Sequence, residues 1–292
     1  MHDFQYATPG TLTEAVRLLA KHGAAAQLLA GGTDLIVKMR VHRALPDLVL
    51  DAKQIPELNV LKFDASGLTI GAAVTCRRIY MDKRVAKIYP ALVDCTTLVG
   101  GIQIQGRATL GGNLCNAAPS ADTIPALIVL GATAHVRGPK GRRQLPVEEF
   151  CTGPGRNALR KGEILVNVRI PKPARRSGAF FLRFIPRNEM DIAVVNAAAA
   201  VVLDAKGKKF EAVRIAIGAA APTPLYLADA GAVLAGEPVS EKLIAEAARI
   251  ATDAVRPITD MRGTIEQRRH LAGVLTARAL RGAIARARGE KE

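Results

Sequence analysis

The chain carries two glycine pairs: Gly31-Gly32 within Leu29-Ala30-Gly31-Gly32-Thr33-Asp34, and Gly111-Gly112 within Thr109-Leu110-Gly111-Gly112-Asn113-Leu114-Cys115-Asn116. The first closes an apolar run and opens a helical pattern, and the second leads into Ala117-Ala118-Pro119-Ser120-Ala121-Asp122. Glycine has no Cβ, so it permits positive φ and lets an anion lie directly against main-chain amides. Two such segments, each followed by small hydroxyl or amide side chains, predict one elongated diphosphate ligand held between them.

A chain of 292 residues can bury sizeable cores and suits two or three domains. With 49% hydrophobic and 23% charged residues, the composition excludes a disordered protein. There is no Trp, and only 4 Tyr and 7 Phe, so Ala, Val, Leu and Ile must supply the packing. The longest apolar stretch, residues 193–203 with Asn196 inside it, falls short of the roughly 20 residues of a membrane span. The start Met1-His2-Asp3-Phe4 carries no basic segment leading into an apolar one. The four cysteines, Cys76, Cys95, Cys115 and Cys151, lack the close pairs of a zinc or iron–sulfur site. They read as reduced thiols of a cytoplasmic protein. Cys115 either touches the ligand or is a small apolar filler. The five histidines have no partner at metal or triad spacing, so neither a metal site nor a catalytic residue is expected.

The formal charge is +15 and is unevenly spread. Arg169, Lys172, Arg175, Arg176, Arg183 and Arg187 follow one another with no acid between them. A second group runs through Arg262, Arg268, Arg269, Arg278, Arg281, Arg286, Arg288 and Lys291. Neither group interleaves aromatic residues and no nucleic-acid motif is present, so nucleic acid is not the expected partner. The C-terminal charges fall on a helical pattern, which predicts a solvated face. The segment from Arg169 to Arg187 is a candidate surface for docking a partner subunit.

Three units follow from punctuation and periodicity. Residues 1–55 form a small α/β unit: Thr11-Leu12-Thr13-Glu14 is a capping box, Gly23 ends the helix, and residues 27–30 and 48–50 are strands. The first glycine segment then sits at a strand-to-helix turn, where helix N-terminal amides add to an anion site. Residues 56–175 form a second unit with strands at 58–61 and 68–71 joined by an Asp64-Ala65-Ser66-Gly67 turn. Thr75 caps a helix, Asp122 starts another, and residues 134–136 and 164–170 complete the strands. Residues 178–288 form a third unit, with strands at 194–203 and 213–218 and helices at 240–255 and 264–286. The class is α+β.

No G-x-G-x-x-G follows a strand and no Walker lysine follows either glycine pair, which argues against a Rossmann site and a nucleotide triphosphatase. The two glycine segments with Asp122, the late segment Arg187-Asn188-Glu189-Met190-Asp191-Ile192-Ala193 and the stretch from Ile217 to Pro224 instead resemble one flavoprotein family. It is the FAD-binding medium subunit of the molybdenum hydroxylases, such as carbon monoxide dehydrogenase and xanthine dehydrogenase-like enzymes. The resemblance implies a two-subdomain FAD-binding fold of the vanillyl-alcohol oxidase (PCMH) type. A C-terminal α/β domain of the CO dehydrogenase flavoprotein type follows it.

By position, the resemblance implies that Leu29, Ala30, Gly31, Gly32, Thr33 and Asp34 wrap the pyrophosphate. Thr109, Gly111, Gly112, Asn113, Cys115 and Asn116 close over the other side of the FAD. Asp122 bonds a ribityl or ribose hydroxyl, and Ile164 or Leu165 packs against the adenine. Arg183 stands where relatives often carry Lys, near the flavin ring, and guanidinium and ammonium are not interchangeable. Each residue also has a purely local role open to it: a tight turn for Gly31-Gly32, a helix N-cap for Asp122, a side chain-to-backbone bond for Asn113, and a basic partner for Asp191.

The resemblance further implies a heteromeric enzyme. A large subunit carrying the molybdenum cofactor oxidises the substrate, and a small subunit passes electrons through two [2Fe-2S] clusters to this chain. An external acceptor (NAD, a quinone or another carrier) then takes them, in a complex built as a dimer of heterotrimers. The dispersed cysteines argue against the additional [4Fe-4S] site of one family branch. Two rivals remain: a stand-alone FAD oxidase or dehydrogenase acting directly on a small molecule, and a scaffold that keeps the fold without cofactor.

Overall fold

The computed structural model describes residues 2–187 and 190–290. Asn188 and Glu189 of the late segment, Lys291 of the basic run and Met1 lie outside the described residues.

The first unit is a parallel three-stranded sheet, β1 (Gln5–Ala7), β2 (Ala26–Leu29) and β3 (Leu48–Asp51), in the order β1-β3-β2. Helix α1 (Leu12–His22) joins β1 to β2, and α2 (Leu35–Arg40) lies between β2 and β3. The N-cap forms, with Thr11 Oγ1 accepting from the Glu14 amide at 3.2 Å, but the Glu14 carboxylate reaches one residue further back and accepts from the Gly10 amide at 3.2 Å. α1 buries Ala15, Val16 and Leu19, and Gly23, at φ +57°, ends it.

The second unit has a five-stranded antiparallel sheet in the order β4-β5-β10-β6-β7. Its elements are β4 (Leu61–Asp64), β5 (Gly67–Gly71), α3 (Cys76–Met81), α4 (Lys83–Ile88), α5 (Pro90–Thr96), α6 (Ile102–Gln105), α7 (Leu110–Asn116), α8 (Thr123–Val129), β6 (Thr133–Gly138), β7 (Gly141–Pro146), β8 (Cys151–Gly153), β9 (Arg156–Asn157) and β10 (Ile164–Pro171). Two segments differ from the sequence expectation. Residues 56–59 form a 3₁₀ turn, not a strand, because Pro56 opens it and Asn59 Nδ2 donates to the Lys53 and Ile55 carbonyls, so β4 begins only at Leu61. The second glycine segment is not an open loop but the first turn of α7, with Thr109 as its N-cap.

The third unit is antiparallel: β11 (Ser177–Phe184), β12 (Val195–Leu203), β13 (Phe210–Gly218) and β14 (Leu225–Tyr226), in chain order. Three helices follow: α9 (Ala228–Ala232), α10 (Glu241–Ala254) and α11 (Ile265–Arg288). The alanine run in β12 explains the layering. Ala197 and Ala199 join Val201 and Leu203 in the core under α10 and α11, while Ala198, with Phe181 and Ala216, belongs to the core of the second unit. Small side chains on both faces let helices approach from both sides. A Cβ on Gly178 would sit 2.2 Å from the Ala283 carbonyl of α11, so glycine sets that close approach.

The basic C-terminal helix is less of a solvated face than its sequence predicts. Arg268 is buried and donates to the carbonyls of Val194 and Ala219 at 2.8 and 2.9 Å, with Asp260 2.7 Å away. Arg286 reaches Asp94 of α5 at 2.6 and 2.9 Å. In the earlier basic segment Arg169 holds Asp64 and Thr69, and Lys172, Arg175 and Arg176 are left exposed. Asp191 lies beside Arg187 and Arg262. No helix among the described residues is long and apolar enough to cross a membrane.

Candidate functional site

A cavity of about 340 Å³ opens between the first and second units. The first glycine segment, the start of α2 and α7, the start of β10 and the residues just before it line the cavity. The two segments touch: a Cβ on Gly31 would lie 2.1 Å from the Arg107 carbonyl oxygen and 3.1 Å from Ala108 Cα. Gly31 is therefore required for the backbones to meet, and Gly32, at φ +78°, for the turn itself.

The amides of the first segment are left over. Among the described residues, the amides of Gly31, Gly32, Thr33, Asp34 and Leu35 have no acceptor, the first bond of the turn being Ile36 N to Gly32 O at 3.0 Å. Unpartnered donors in succession at a strand-to-helix turn are the kind of backbone that suits an anion. Thr33 adds a hydroxyl to the same wall.

The second segment behaves differently. Leu110 N donates to Val74 O, Gly111 N to Ala72 O, Gly112 N to Thr109 Oγ1 and Asn113 N to Thr109 O, at 2.9–3.2 Å. Every amide of this helix start is spent inside the protein, contrary to the expectation of uncovered donors. Its polar contribution to the cavity is made by side chains. Asn113 Oδ1 accepts from Thr123 Oγ1 at 2.6 Å, which orients the amide and leaves its NH₂ group to the cavity wall. Asn116 Oδ1 accepts from Lys38 Nζ at 2.5 Å. Gly111 serves packing, since its Cβ would be 2.5 Å from that of Ala72.

Of the residues picked from sequence, Ala30, Gly31, Gly32, Thr33, Asp34, Thr109, Gly111, Gly112, Asn113, Cys115, Asn116, Ile164 and Leu165 all line this one cavity. Leu29, Asp122 and Arg183 do not. Asp122 makes no side-chain cap on α8. Its carboxylate instead accepts from Arg183 Nη1 at 2.6 Å and Asn196 Nδ2 at 3.3 Å, and burial pushes its pKa up to about 6. Burial also pushes the Cys115 thiol up to about 12, which keeps it protonated and chemically quiet.

Several wall residues carried no sequence signal. Lys38 lies one helical turn beyond Asp34, so α-helical spacing from the glycine pair was the one clue available. Asn157 is brought in by tertiary contact, donating to the Cys115 carbonyl at 2.7 Å. Glu163 is held by Arg143 through two bonds of 2.7 and 2.8 Å, and that pairing lowers its pKa. Leu19, Leu28, Leu58, Ile164 and Leu165 make the apolar part of the wall. Amide donors, a hydroxyl, a carboxamide and one ammonium beside apolar surface suit a diphosphate flanked by flat ring systems. FAD has that chemistry.

Comparison with known proteins agrees along the whole chain. Residues 2–173 match the FAD binding domain in molybdopterin dehydrogenase, and residues 180–283 match the CO dehydrogenase flavoprotein C-terminal domain. The carbon monoxide dehydrogenase medium chain of Afipia carboxidovorans is 34% identical, covering 98% of both chains. The xanthine dehydrogenase FAD-binding subunit of Escherichia coli O157:H7 is 32% identical, covering 99% of both. The solved carbon monoxide dehydrogenase from Hydrogenophaga pseudoflava superposes with a TM-score of 0.93 at 31% identity, over 97% of this chain and 98% of that one. With two family matches in series and relatives aligned from end to end, this chain belongs to the FAD-binding molybdopterin dehydrogenase family and carries its CO dehydrogenase flavoprotein C-terminal domain.

Proposed function

We propose that the chain is the FAD-binding subunit of a heteromeric molybdenum hydroxylase, an oxidoreductase. It stands between an iron–sulfur small subunit, with two [2Fe-2S] clusters, and an external acceptor such as NAD or a quinone. A large subunit holds the molybdenum cofactor, in a dimer of heterotrimers. FAD, when bound, supplies the exchange between one-electron carriers and a two-electron acceptor. The run of unpartnered amides from Gly31 to Leu35 in the cavity wall is the observation that carries this reading.

The residues of this chain bind and orient. The amide run and the Thr33 hydroxyl take the diphosphate, and Asn113 donates from the opposite side. Ile164 and Leu165 cover the adenine. The walls exclude water with apolar groups, and one of their two carboxylates, Glu163, is committed to Arg143. Among the described residues the third unit contributes none to the cavity wall, which favours an electron-transfer subunit over an oxidase with its own substrate cap. The four free cysteines support a cytoplasmic location.

The purified full chain is expected to carry the visible absorption of a flavin and to co-purify with iron–sulfur and molybdenum subunits. Gly32→Val forces a β-branched residue into φ +78° and places Cβ 2.9 Å from Leu29 Cδ1, so it is expected to lose the flavin. Thr33→Val, which removes only the hydroxyl, weakens retention in a chain that stays folded. A colourless wild-type chain that binds no added FAD would overturn the proposal.

A further inference from the structure

The chain has 41 lysines and arginines, yet among the described residues only Lys38 lines the cavity between the glycine segments. The other charged residues of that wall, Asp34 and Glu163, are acids. Backbone amides offer partial charges, which leaves a diphosphate of roughly two negative charges without a full counter-charge unless Lys38 supplies it.

The position of Lys38 fits that task. It lies on α2, directly after the amide run, and its backbone N–H donates to the Asp34 carbonyl at 2.9 Å. Its Nζ crosses to the far side of the cavity and donates to Asn116 Oδ1, at the last residue of α7, at 2.5 Å. The one ammonium of the wall therefore spans the two glycine segments. An ammonium has three donors and Asn116 takes one, so a phosphate oxygen can be added without breaking the bridge. A bond to an ionised phosphate is stronger than one to a neutral carboxamide, so the ligand draws the ammonium inward.

Resting on the FAD reading above, we propose that Lys38 is the cationic partner of the diphosphate. The Lys38–Asn116 bridge is the strap that ties the two halves of the cradle over it. Lys38 acts as a positioning residue and takes no part in electron transfer.

The test is FAD binding to flavin-stripped full chain, measured as Kd at low and at about 0.5 M salt, where the Debye length is only a few Å. Lys38→Met is expected to weaken binding about ten- to fiftyfold at low salt and to flatten the salt dependence. Lys38→Arg restores most of the affinity, because it keeps the charge and the donors. Lys242→Met, an exposed position on α10, removes the same unit of net charge and leaves Kd within about twofold. Thermal unfolding without flavin is measured for each variant. The proposal fails if Lys38→Met binds with wild-type affinity and salt slope. It also fails if Lys38→Met and Lys38→Arg lose affinity equally. A loss that only tracks a lowered unfolding temperature likewise overturns it. A wild-type chain that binds no FAD overturns the FAD reading instead.

Discussion

Asp122 and Arg183 form a buried ion pair across the boundary between the second and third units, with Arg183 Nη1 2.6 Å from Asp122 Oδ2 and the two side chains only 9% and 4% exposed. Asn196 of β12 completes the group by donating to the same carboxylate. Two residues that the family resemblance places at the cofactor therefore hold each other. The C-terminal sheet is locked onto the helix start that follows the second glycine segment.

Arg183→Met leaves the Asp122 carboxylate buried without its counter-charge, a loss of about 3–5 kcal/mol when the group must ionise. The Asp122 pKa is already raised to about 6 with Arg183 in place, burial being the cause. A carboxyl whose folded pKa lies above its unfolded value loses stability as pH rises through that interval. The variant raises the folded value further, so its deficit is small near pH 4.5 and grows through pH 6 and above. Urea unfolding at pH 4.5 and pH 8 checks this, and an equal deficit at both would contradict it. Arg183→Lys is expected to lose less, since the charge remains.

Gly31 and Gly112 are expected to separate fold from helix cap. Gly31→Ala puts Cβ 2.1 Å from a backbone carbonyl that has no side-chain freedom, so both stability and flavin retention fall. Gly112→Ala meets only Thr109 Oγ1, at 2.7 Å, which can rotate away and give up the N-cap at about 1 kcal/mol. Thermal unfolding of the flavin-free variants ranks them, and Gly31→Ala must be the less stable.

Asp94 joins α5 to the C-terminal unit by accepting from Arg286 at 2.6 and 2.9 Å and from the Phe181 amide at 3.2 Å. Asp94→Ala removes the acceptor shared by the Arg286 guanidinium and the Phe181 amide, while Arg286 keeps the Ala179 carbonyl at 2.7 Å, at about 2–4 kcal/mol. Denaturant unfolding is expected to broaden or split as the third unit loosens from the second. A sharp wild-type transition would argue against this coupling.

Arg268 fixes the loop before α11 by holding two carbonyls and Asp260 from a buried position. Arg268→Met keeps the length of the side chain but orphans the Val194 and Ala219 carbonyls, a loss of about 2–4 kcal/mol. Hydrogen exchange is expected to rise first in residues 256–264.

The sequence by itself determined the local signals that start and stop elements and the first glycine turn. Capping boxes at Thr11 and Thr264, the stop at Gly23 and the strand-to-helix turn at Gly31-Gly32 are local signals, because each depends on residues within one helical turn. Residues whose role depends on distant partners were not legible in that way. Leu110 to Asn113 look like an open phosphate loop until Val74, Ala72 and Thr109 take their amides. Asp122 looks like a helix cap until Arg183, 61 residues away in the chain, meets it in the interior. Arg268 and Arg286 look solvated until the carbonyls and carboxylate that they satisfy are packed around them. Tertiary structure made those decisions because a buried donor or charge must find a partner, and the partner is set by packing rather than by sequence distance.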